Sequence, residues 1–479
     1  MVKLSRKNDK RSRCSDHKDG NRSRRCRAFT SRTINFVRKS LDAWSSIFAL
    51  PSVPFEPEFE TCLELSKAVK TLLSHCPTEE LEPLMAFQSI KKGLPDSCRC
   101  MESALIDGLV ANIVEGRPPV LPRGYLQFVK KEVSRLFPKG WDTSYEGYCR
   151  RTSPPVKSCL EAGRAVGGAL GNLRTGNRNI SGGHYHTGES PLFDHSDYLE
   201  VTLFGRPSVN RPMDSLSAAL QVVNSAGKPR PLTTFSSDGL YLKPLHKTIY
   251  GHLSKKKWLS RGDVTDSSLR SAGFRKDLGT LVSGDYSSAT DNLSIEVMES
   301  CLSAMLDNAS VVPPNVKEFA RVACRPFIFR SRDDFIEGEE PMLLKKGQMM
   351  GSYLSFPLLC LQNFLAFRWS TRHIKTRIPV LINGDDILFQ SDRVTASRWM
   401  ETVGSLGLVV ERTKTSLSDE FGTLNSTLFL WDDTGQLVVR PTFRFGMLRP
   451  MEFPSGLGKS FEDFLRGSSG NLRYRAGRA

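Results

Sequence analysis

Two adjacent aspartates interrupt an apolar segment in the stretch RIPVLINGDDILFQSD, residues 377–392. Asp385 and Asp386 stand between the apolar runs VLI and ILF. Moving a carboxylate out of water is costly unless a partner or a cation compensates its charge. The segment therefore needs a structural or chemical reason for keeping both acids.

The dipeptide Asn383-Gly384 precedes these acids and predicts a β-hairpin. Asn-Gly between two apolar runs is a strong hairpin signal, because both central positions of a type I′ turn require positive φ. The two runs become the arms of a buried hairpin, and Asn383-Gly384 with Asp385 forms its tip. A structural turn is the alternative, because Asp333-Asp334 and Asp432-Asp433 are further acidic pairs in the chain.

A second acidic segment, GTLVSGDYSSATDNLS, lies about 100 residues upstream. Asp285 follows an apolar strand, and Asp291 precedes an amphipathic helical pattern over residues 295–306. Two like charges ~4 Å apart repel by about 4 kcal/mol at an effective dielectric constant near 20. Bound cations remove that repulsion, and oxygen-only ligands favour Mg²⁺, which binds carboxylates together with substrate phosphates. Paired ions of this kind serve phosphoryl transfer in polymerases.

A third segment, KKGQMMGSYLSFPLLCLQNFLAF at residues 345–367, combines a glycine-rich turn with an apolar helix. Gly347 and Gly351 allow a flexible turn, and Ser352 and Ser355 supply hydroxyl groups. Such a loop and helix can hold a nucleic-acid backbone and position a sugar. A core helix with a glycine-rich entry is the structural alternative.

Composition points to a soluble globular protein that attracts a polyanion. The 479 residues are 39% hydrophobic and carry a formal net charge of +16. Residues 1–40 hold 14 Lys and Arg against three aspartates and almost no apolar residue before Phe29, which predicts a disordered basic tail. A solvated tail and a contact with nucleic acid are both open as its role, and a nuclear or organellar address is favoured less. No uncharged apolar run reaches the ~18 residues of a membrane span, so we expect no stable membrane insertion.

The 11 cysteines lack the spacing of a disulfide framework or a zinc finger. Cys98 and Cys100 form the one close pair, and no second pair follows at zinc-finger distance. We interpret the cysteines as reduced thiols in a cytosolic type of compartment. The group His184, His186, Asp194 and His195 suggests a polar loop more than a metal site.

The order of these segments resembles that of viral RNA-dependent RNA polymerases, closest to the ourmiavirus-like (botourmiavirus) group related to narnaviruses and mitoviruses. SGDYSSATDNL is similar to motif A, GQMMGSYLSFPLLCLQN to motif B, and NGDDILF to the GDD motif C. GLVVERTKTS and FGTLNSTLF are similar to motifs D and E, and GKPRPLT (227–233) to the basic motif F. The resemblance covers residues 225–430.

The resemblance assigns roles to individual residues. Asp285 and Asp385 would be the main ligands of two Mg²⁺ ions, with Mn²⁺ as a substitute, and Asp386 a secondary ligand. Lys414 would be the general acid for pyrophosphate. The nucleotide-binding residues implied are Lys228, Arg230, Asp291, Gly351, Ser352, Ser355 and Asn363, of which Asp291, Ser355 and Asn363 would read the ribose 2′-OH. The family's helix asparagine falls four residues after the motif B hydroxyl, where this chain has Leu359.

The implied fold is an α+β right-hand polymerase with fingers, a palm built on an antiparallel sheet, and a short thumb. Residues 41–275 would form the N-terminal and fingers region, 276–431 the palm with a fingers insertion at 296–345, and 432–479 the thumb and C-terminal tail. The glycine-rich stretch 161–190 is similar to an upstream fingers segment.

The implied function is that of a viral replicase, which copies and transcribes a positive-sense RNA genome by two-metal nucleotidyl transfer. Its partners would be template and product RNA, nucleoside triphosphates and host factors, with no oligomeric state indicated. The weak transit character of the first residues favours the host cytoplasm over the mitochondrion.

Three other classes of protein compete with this interpretation. A reverse transcriptase shares the palm chemistry, but its hairpin usually carries an aromatic residue where this chain has Asn383. A non-enzymatic RNA-binding nucleocapsid protein would explain the net charge and leave the spaced carboxylates unexplained. A nucleotide-driven motor or helicase is the third class, because the tripeptide Gly458-Lys459-Ser460 matches the end of a P-loop. However, no apolar strand precedes it and Phe453 occupies the place of the first glycine.

Overall fold

The computed structural model describes residues 24–174, 195–207, 213–225, 228–449, 454–466, 468 and 470–479. Helices and strands are mixed along the chain, as the sequence predicts. The chain divides into two compact units. The terminal unit comprises Met1–Asp107, Val222–Pro231 and Arg440–Ala479, and the central unit comprises Gly108–Gln221 and Leu232–Val439.

Eighteen α-helices occur in the described residues. In chain order they are α1 (Arg24–Phe48), α2 (Cys62–Leu72), α3 (Leu81–Ser89), α4 (Glu102–Val110), α5 (Tyr125–Leu136), α6 (Tyr145–Arg151), α7 (Gly168–Arg174), α8 (His195–Thr202), α9 (Lys243–Leu253), α10 (Asp266–Ala272), α11 (Ala289–Asn292), α12 (Ile295–Asp307), α13 (Pro314–Val322), α14 (Arg332–Glu337), α15 (Ser355–Ser370), α16 (Arg393–Gly404), α17 (Leu457–Leu465) and α18 (Gly470–Arg478).

In the part of the chain that the structure describes, ten strands form three small sheets. The strands are β1 (Ser217–Ser225), β2 (Lys228–Phe235), β3 (Thr280–Gly284), β4 (Phe327–Phe329), β5 (Val380–Asn383), β6 (Asp386–Ser391), β7 (Ser416–Ser418), β8 (Phe421–Leu424), β9 (Thr427–Trp431) and β10 (Leu437–Arg440). Their orders are β2-β1-β4, β10-β9-β8 and β5-β6-β3-β7. In the last sheet β3 pairs antiparallel with β6 and β7, and β5 pairs antiparallel with β6.

Helix α15 lies in the core of the central unit and is buried almost all round. Apolar residues occur on every face of its sequence, which is the pattern of a helix surrounded by protein. The Phe367 ring lies 5.2 Å from Phe389 of β6, and Phe389 lies 5.1 Å from Trp399 of α16. The predicted buried helix of motif B and the predicted amphipathic helix over 295–306 (α12) are both confirmed.

The prediction that residues 1–40 form a disordered tail is wrong for residues 24–40, which belong to helix α1. One face of α1 is buried, with Cys26, Phe29, Val37 and Trp44 spaced at helical intervals. The charge count concealed this face, because its buried positions include cysteine and threonine among many arginines. Residues 1–23 lie outside the described residues.

In the terminal unit, residues from both ends of the chain share one hydrophobic core. Phe29 and Trp44 of α1 belong to the same buried cluster as Phe443, Phe445 and Phe464. The Trp44 indole donates a hydrogen bond to the Pro83 carbonyl at 2.8 Å. Phe443, Phe445 and Phe464 therefore do not form a core on their own, since helices from the N-terminal part complete it.

Several predicted features fall wholly or partly outside the described residues. His184, His186, Asp194 and most of the glycine-rich stretch 161–190 belong to this group, and so does Gly227 of motif F. Gly458-Lys459-Ser460 opens helix α17, and a 3₁₀ turn (Pro454–Gly456) directly precedes the helix where a P-loop would have a glycine-rich loop after a strand, which counts against the P-loop interpretation. None of the helices in the described residues combines the length and the apolar character that a membrane-spanning helix needs.

The close packing around Gly284 gives the first testable prediction. A Cβ atom at Gly284 would lie 2.5 Å from the Trp399 ring and 2.8 Å from Ile387 Cγ2. Overpacking of this kind costs about 1–3 kcal/mol. We expect Gly284→Ala to lower the urea midpoint of unfolding, followed by circular dichroism.

Gly404→Ala is the matched control, because a Cβ at Gly404 meets no atom within 4 Å. Alanine at this helical position should leave stability unchanged or raise it by up to ~1 kcal/mol. Equal midpoints for Gly284→Ala and the wild type would contradict the packing described here.

Candidate active site

The sheet register brings Asp285, Asp385 and Asp386 to one end of the four-stranded sheet. The last paired residue of β3 is Gly284, which lies opposite Ile387 of β6. Asp285 therefore leaves β3 beside the first residue of β6, which is Asp386. Two segments separated by 100 residues in sequence thus place their acids at the same edge.

The hairpin that carries two of these acids has a different turn from the predicted one. Asn383 pairs with Asp386 as part of strand β5, so the two-residue loop is Gly384-Asp385. Gly384 has a φ of +67°, and Asp385 is not among the positive-φ residues. Glycine with positive φ at the first central position is the pattern of a type II′ turn. The predicted type I′ turn centred on Asn383-Gly384 is wrong, because Asn383 takes part in the strand ladder.

Side chains on one face of helix α15 make hydrogen bonds to the backbone of this turn. The Asn363 side-chain amide donates hydrogen bonds to the Gly384 carbonyl at 3.1 Å and to the Asp385 carbonyl at 3.4 Å. The Gly384 backbone N–H donates to Cys360 Sγ at 3.3 Å. A Cβ at Gly384 would lie 3.1 Å from the Phe356 ring, so the turn and the helix are in close contact.

The same asparagine reaches the segment that carries Asp285. The hydroxyl of Tyr286 donates a hydrogen bond to Asn363 Oδ1 at 2.9 Å. Both residues are buried, Asn363 completely. Burial, with a smaller contribution from the negative charges of Asp385 and Asp285, raises the pKa of Tyr286 well above its usual value. The tyrosine therefore stays protonated and donates.

This geometry does not fit the predicted contact between Asn363 and a ribose hydroxyl. The amide is completely buried, and its donor and acceptor are already used by Gly384, Asp385 and Tyr286. The position of Asn363 two helical turns after Ser355 in the sequence predicts which face of the helix it occupies but not how deeply it is buried. The structure makes it a residue that positions the two acidic segments.

Lys414 lies beside the acids, as its predicted role requires. Its Nζ atom is 3.1 Å from Asp285 Oδ2, with 43% of the lysine side chain and 28% of the aspartate side chain exposed. The segment before Lys414 runs along the chain after β3, because the Glu411 N–H donates to the Asp285 carbonyl at 2.9 Å. The Ser287 hydroxyl donates to Glu411 Oε2 at 2.8 Å, which fixes the position of this segment further.

Asp291 lies on α11, where the glycine-rich loop of motif B packs against it. The Gly347 N–H donates to the Leu293 carbonyl at 2.8 Å, and the Gln348 N–H donates to the Thr290 carbonyl at 2.7 Å. Burial raises the pKa of Asp291, and the charge of the nearby Lys346 partly offsets that effect. The enclosed position therefore destabilises the ionised form of this acid in the folded state.

The motif B residues Gly351, Ser352 and Ser355 lie at the entry to α15. Gly351 is exposed with a φ of +107°, and a Cβ there would collide with the Thr233 carbonyl. Ser352 is half-buried. The Ser355 hydroxyl is buried and accepts a hydrogen bond from the Gln348 side chain at 3.1 Å. Ser355 therefore stabilises the loop in this structure, while Gly351 and Ser352 are reachable from solvent.

The two basic residues of motif F belong to a different unit. Lys228 and Arg230 lie on β2 within Val222–Pro231 of the terminal unit, whereas the acids belong to the central unit. Arg230 is exposed. Their predicted grip on a triphosphate stays a prediction.

Sequence reasoning missed residues that hold the acidic segments and the motif B loop in place. Tyr286, Cys360 and Gln348 each make a buried hydrogen bond that links two segments. A signal for Tyr286 was present, since a tyrosine in a buried segment needs a partner for its hydroxyl. The polar Asn363 and Gln362 in an otherwise apolar helix were a second signal.

Comparison with known proteins gives two matches. Residues 196–422 match the family model described as Mitovirus RNA-dependent RNA polymerase. This interval contains the acids, Lys414 and the motif B helix. The chain is also similar to the RNA-dependent RNA polymerase of Ourmia melon virus (isolate Melon/Iran/VE9), with 35% identity over 170 residues.

The second match covers 33% of this chain and 20% of the Ourmia melon virus protein. The chain thus spans about a fifth of the length of the curated relative that it matches. Together the matches confirm the resemblance to viral RNA-dependent RNA polymerases of the mitovirus and ourmiavirus type, which the motifs indicated.

The raised pKa of Asp291 predicts a stability effect. Because the folded pKa lies above the unfolded one, the folded state binds the proton more tightly, and stability falls as pH rises from the unfolded pKa through the folded one. Asparagine carries no charge, so it removes the free-energy cost of burying an ionised carboxylate at this position. We expect Asp291→Asn to raise the thermal midpoint at pH 7, with a gain that shrinks in acid.

Asp433→Asn is the control, since Asp433 is exposed in a turn and its replacement should leave the midpoint unchanged. A lower midpoint for Asp291→Asn at pH 7 would show that the carboxylate stabilises the fold instead.

Proposed function

We propose that this chain is an RNA-directed RNA polymerase, a viral replicase that copies and transcribes a positive-sense RNA genome. The observation that carries the proposal is the convergence of Asp285, Asp385, Asp386 and Lys414 at one sheet edge within the region that matches viral polymerases. A reverse transcriptase remains a competing class on chemistry alone, and the two matches favour RNA synthesis.

The proposal includes two divalent cations held by the acids, with Asp285 and Asp385 as main ligands and Asp386 as a secondary one. The donor set fits Mg²⁺, with Mn²⁺ as a substitute, because all donors are carboxylate oxygens. The ion pair between Asp285 and Lys414 supports the fit, since it marks a place where negative charge attracts a cation. When bound, such ions lower the pKa of an attacking hydroxyl and stabilise the pyrophosphate leaving group.

The protein's own part in this chemistry is to hold the acids in a fixed geometry. Asp385 is exposed at the turn, while its backbone is fixed by the buried Asn363 amide. Tyr286, next to Asp285, is fixed by the same amide. Misplacement of reacting groups by 1 Å can cost ~100-fold in rate, so this support is part of the catalytic design.

Nucleotide selection is assigned to residues around the motif B loop. We propose that Asp291 accepts a hydrogen bond from the ribose 2′-OH, while Gly351 and Ser352 line the approach. Ser355 supports the loop through Gln348, as its buried hydroxyl requires. Lys228 and Arg230 are proposed to bind the triphosphate, where charge-assisted hydrogen bonds are strongest.

The proposed layout is a right hand with boundaries as expected from the motifs. Residues 276–431 would form the palm, 41–275 and 296–345 the fingers, and 432–479 the thumb. The core that residues 440–479 share with α1 supports a thumb completed by N-terminal helices. Template and product RNA and nucleoside triphosphates are the proposed substrates, and the host cytoplasm is the proposed compartment.

Replacing an acid should abolish synthesis. We expect Asp385→Asn or Asp285→Asn to lower incorporation of labelled nucleotide by more than about 100-fold, the loss typical when transition-state charge is left unstabilised. Binding of the RNA template should stay close to wild type. Primed RNA extension with Mg²⁺, run with NTPs and dNTPs in parallel, measures both activity and sugar preference.

Asp433→Asn serves here too, as an acid of another Asp-Asp pair at an exposed turn, and should synthesise normally. Wild-type synthesis by Asp385→Asn would refute the metal assignment. Equal use of dNTPs by the wild-type protein would favour the reverse transcriptase class.

Lys414 should act by releasing a proton as well as by its charge. Arginine keeps a positive charge beside Asp285, but it cannot be deprotonated in proteins. We therefore expect Lys414→Arg to lower the single-turnover rate by about 10²–10⁴-fold, the range for general acid catalysis, and to change the alkaline limb of the pH–rate profile.

Arg412→Lys is the matched control, because Arg412 is an exposed cation two residues away and its replacement should leave rate and pH profile unchanged. A Lys414→Arg variant with wild-type rate and profile would limit Lys414 to an electrostatic role.

A further inference from the structure

Four cysteines of the terminal unit converge on one point, although the sequence separates them widely. Cys26 lies on α1, Cys62 is the first residue of α2, and Cys98 and Cys100 precede α4. Their four Sγ atoms all lie within 4.8 Å of one another. Three of the side chains are buried and Cys100 is half-buried.

The sulfur separations suit a metal better than a disulfide. Cys26 Sγ lies 3.7 Å from Cys98 Sγ and 3.9 Å from Cys100 Sγ. A disulfide bond is ~2.05 Å long. Four thiolates around Zn²⁺ at ~2.3 Å in a tetrahedron have sulfurs about 3.8 Å apart, which is close to both observed values.

The surroundings favour thiolates once a cation is present. Cys62 opens α2 with its N-terminus capped by Thr61, and the positive end of a helix stabilises a nearby anion. Arg99 stands between two of the cysteines, and Arg25 and Arg27 flank Cys26.

We propose that Cys26, Cys62, Cys98 and Cys100 bind one Zn²⁺ ion in a closed structural site. Four protein ligands leave no open position for substrate, which distinguishes structural from catalytic zinc. The ion would join α1, α2 and the segment before α4, which are well separated along the chain. Zinc binding energy of this kind adds directly to folding energy.

These cysteines lack zinc-finger spacing because only one close pair exists among them. Cys98 and Cys100 are separated by one residue, and the other two ligands come singly from distant helices. The expectation that the cysteines form no metal site followed from local spacing alone. Helix packing in the terminal unit supplies the missing proximity.

The test begins with metal analysis of the purified full-length chain, prepared under reducing conditions without chelator. We expect about one zinc per chain, released when a mercurial reagent titrates the thiols and followed with a zinc-binding dye. The double variant Cys98→Ser/Cys100→Ser should lose this zinc. Cys76→Ser is the matched control, since Cys76 lies in the same unit outside the cluster, and should keep it.

A second readout does not depend on the variants folding. Co²⁺ exchanged into the wild-type chain should show the intense absorption of tetrahedral thiolate coordination, and removal of zinc by a strong chelator should lower the thermal midpoint. Because thiol protons compete with the metal, zinc affinity should fall as pH falls.

Three outcomes would overturn the proposal. A folded wild-type chain that contains no zinc and whose midpoint does not change with zinc or chelator has no such site. Stoichiometric iron in place of zinc, with the matching colour, would assign the cluster to another metal. A covalent Cys26–Cys98 link found by mass spectrometry of the non-reduced chain would make the cluster a disulfide site.

Discussion

The hydrogen bonds of the Asn363 side chain connect the two segments on which the catalytic proposal depends. One amide group binds Tyr286 beside Asp285 and the backbone of the turn that carries Asp385. It lies in a helix that is otherwise apolar, where an unpaired amide would cost about 1–3 kcal/mol. Loss of this amide would leave the Tyr286 hydroxyl and the Gly384 and Asp385 carbonyls without these hydrogen bonds at the same time. The core therefore specifies where the acids stand.

Local charges around the acids follow from the same arrangement. Lys414 pairs with Asp285, and Lys346, itself buried, donates to Asn292 next to Asp291. The positive charge of Lys414 therefore stabilises the Asp285 carboxylate, and that of Lys346 stabilises the Asp291 carboxylate. The raised pKa of Asp291 indicates that the compensation there is incomplete. A protein accepts such a cost where a residue serves a purpose other than stability.

Local patterns in the sequence predicted the acids, the strand before Asp285 and the buried helix, because each depends on residues close together in the chain. The turn type at Gly384 was mispredicted since Asn-Gly signals a turn without fixing which residue ends the strand ladder. The depth of Asn363 and the helix over residues 24–40 depend on packing against distant segments. Charge counting along the chain carries no information on such contacts.

The two proposed metal sites differ in the way that their chemistry requires. Carboxylates at an exposed turn suit a hard cation that shares its coordination with an entering triphosphate, and such a site must stay open. Thiolates in a core suit a borderline cation that never meets substrate, and such a site must stay closed. A hairpin tip provides the first environment, and packed helices provide the second. Oxygen donors thus lie at the sheet edge, where an ion can exchange ligands with a triphosphate. Sulfur donors lie between helices, where an ion keeps the same four ligands.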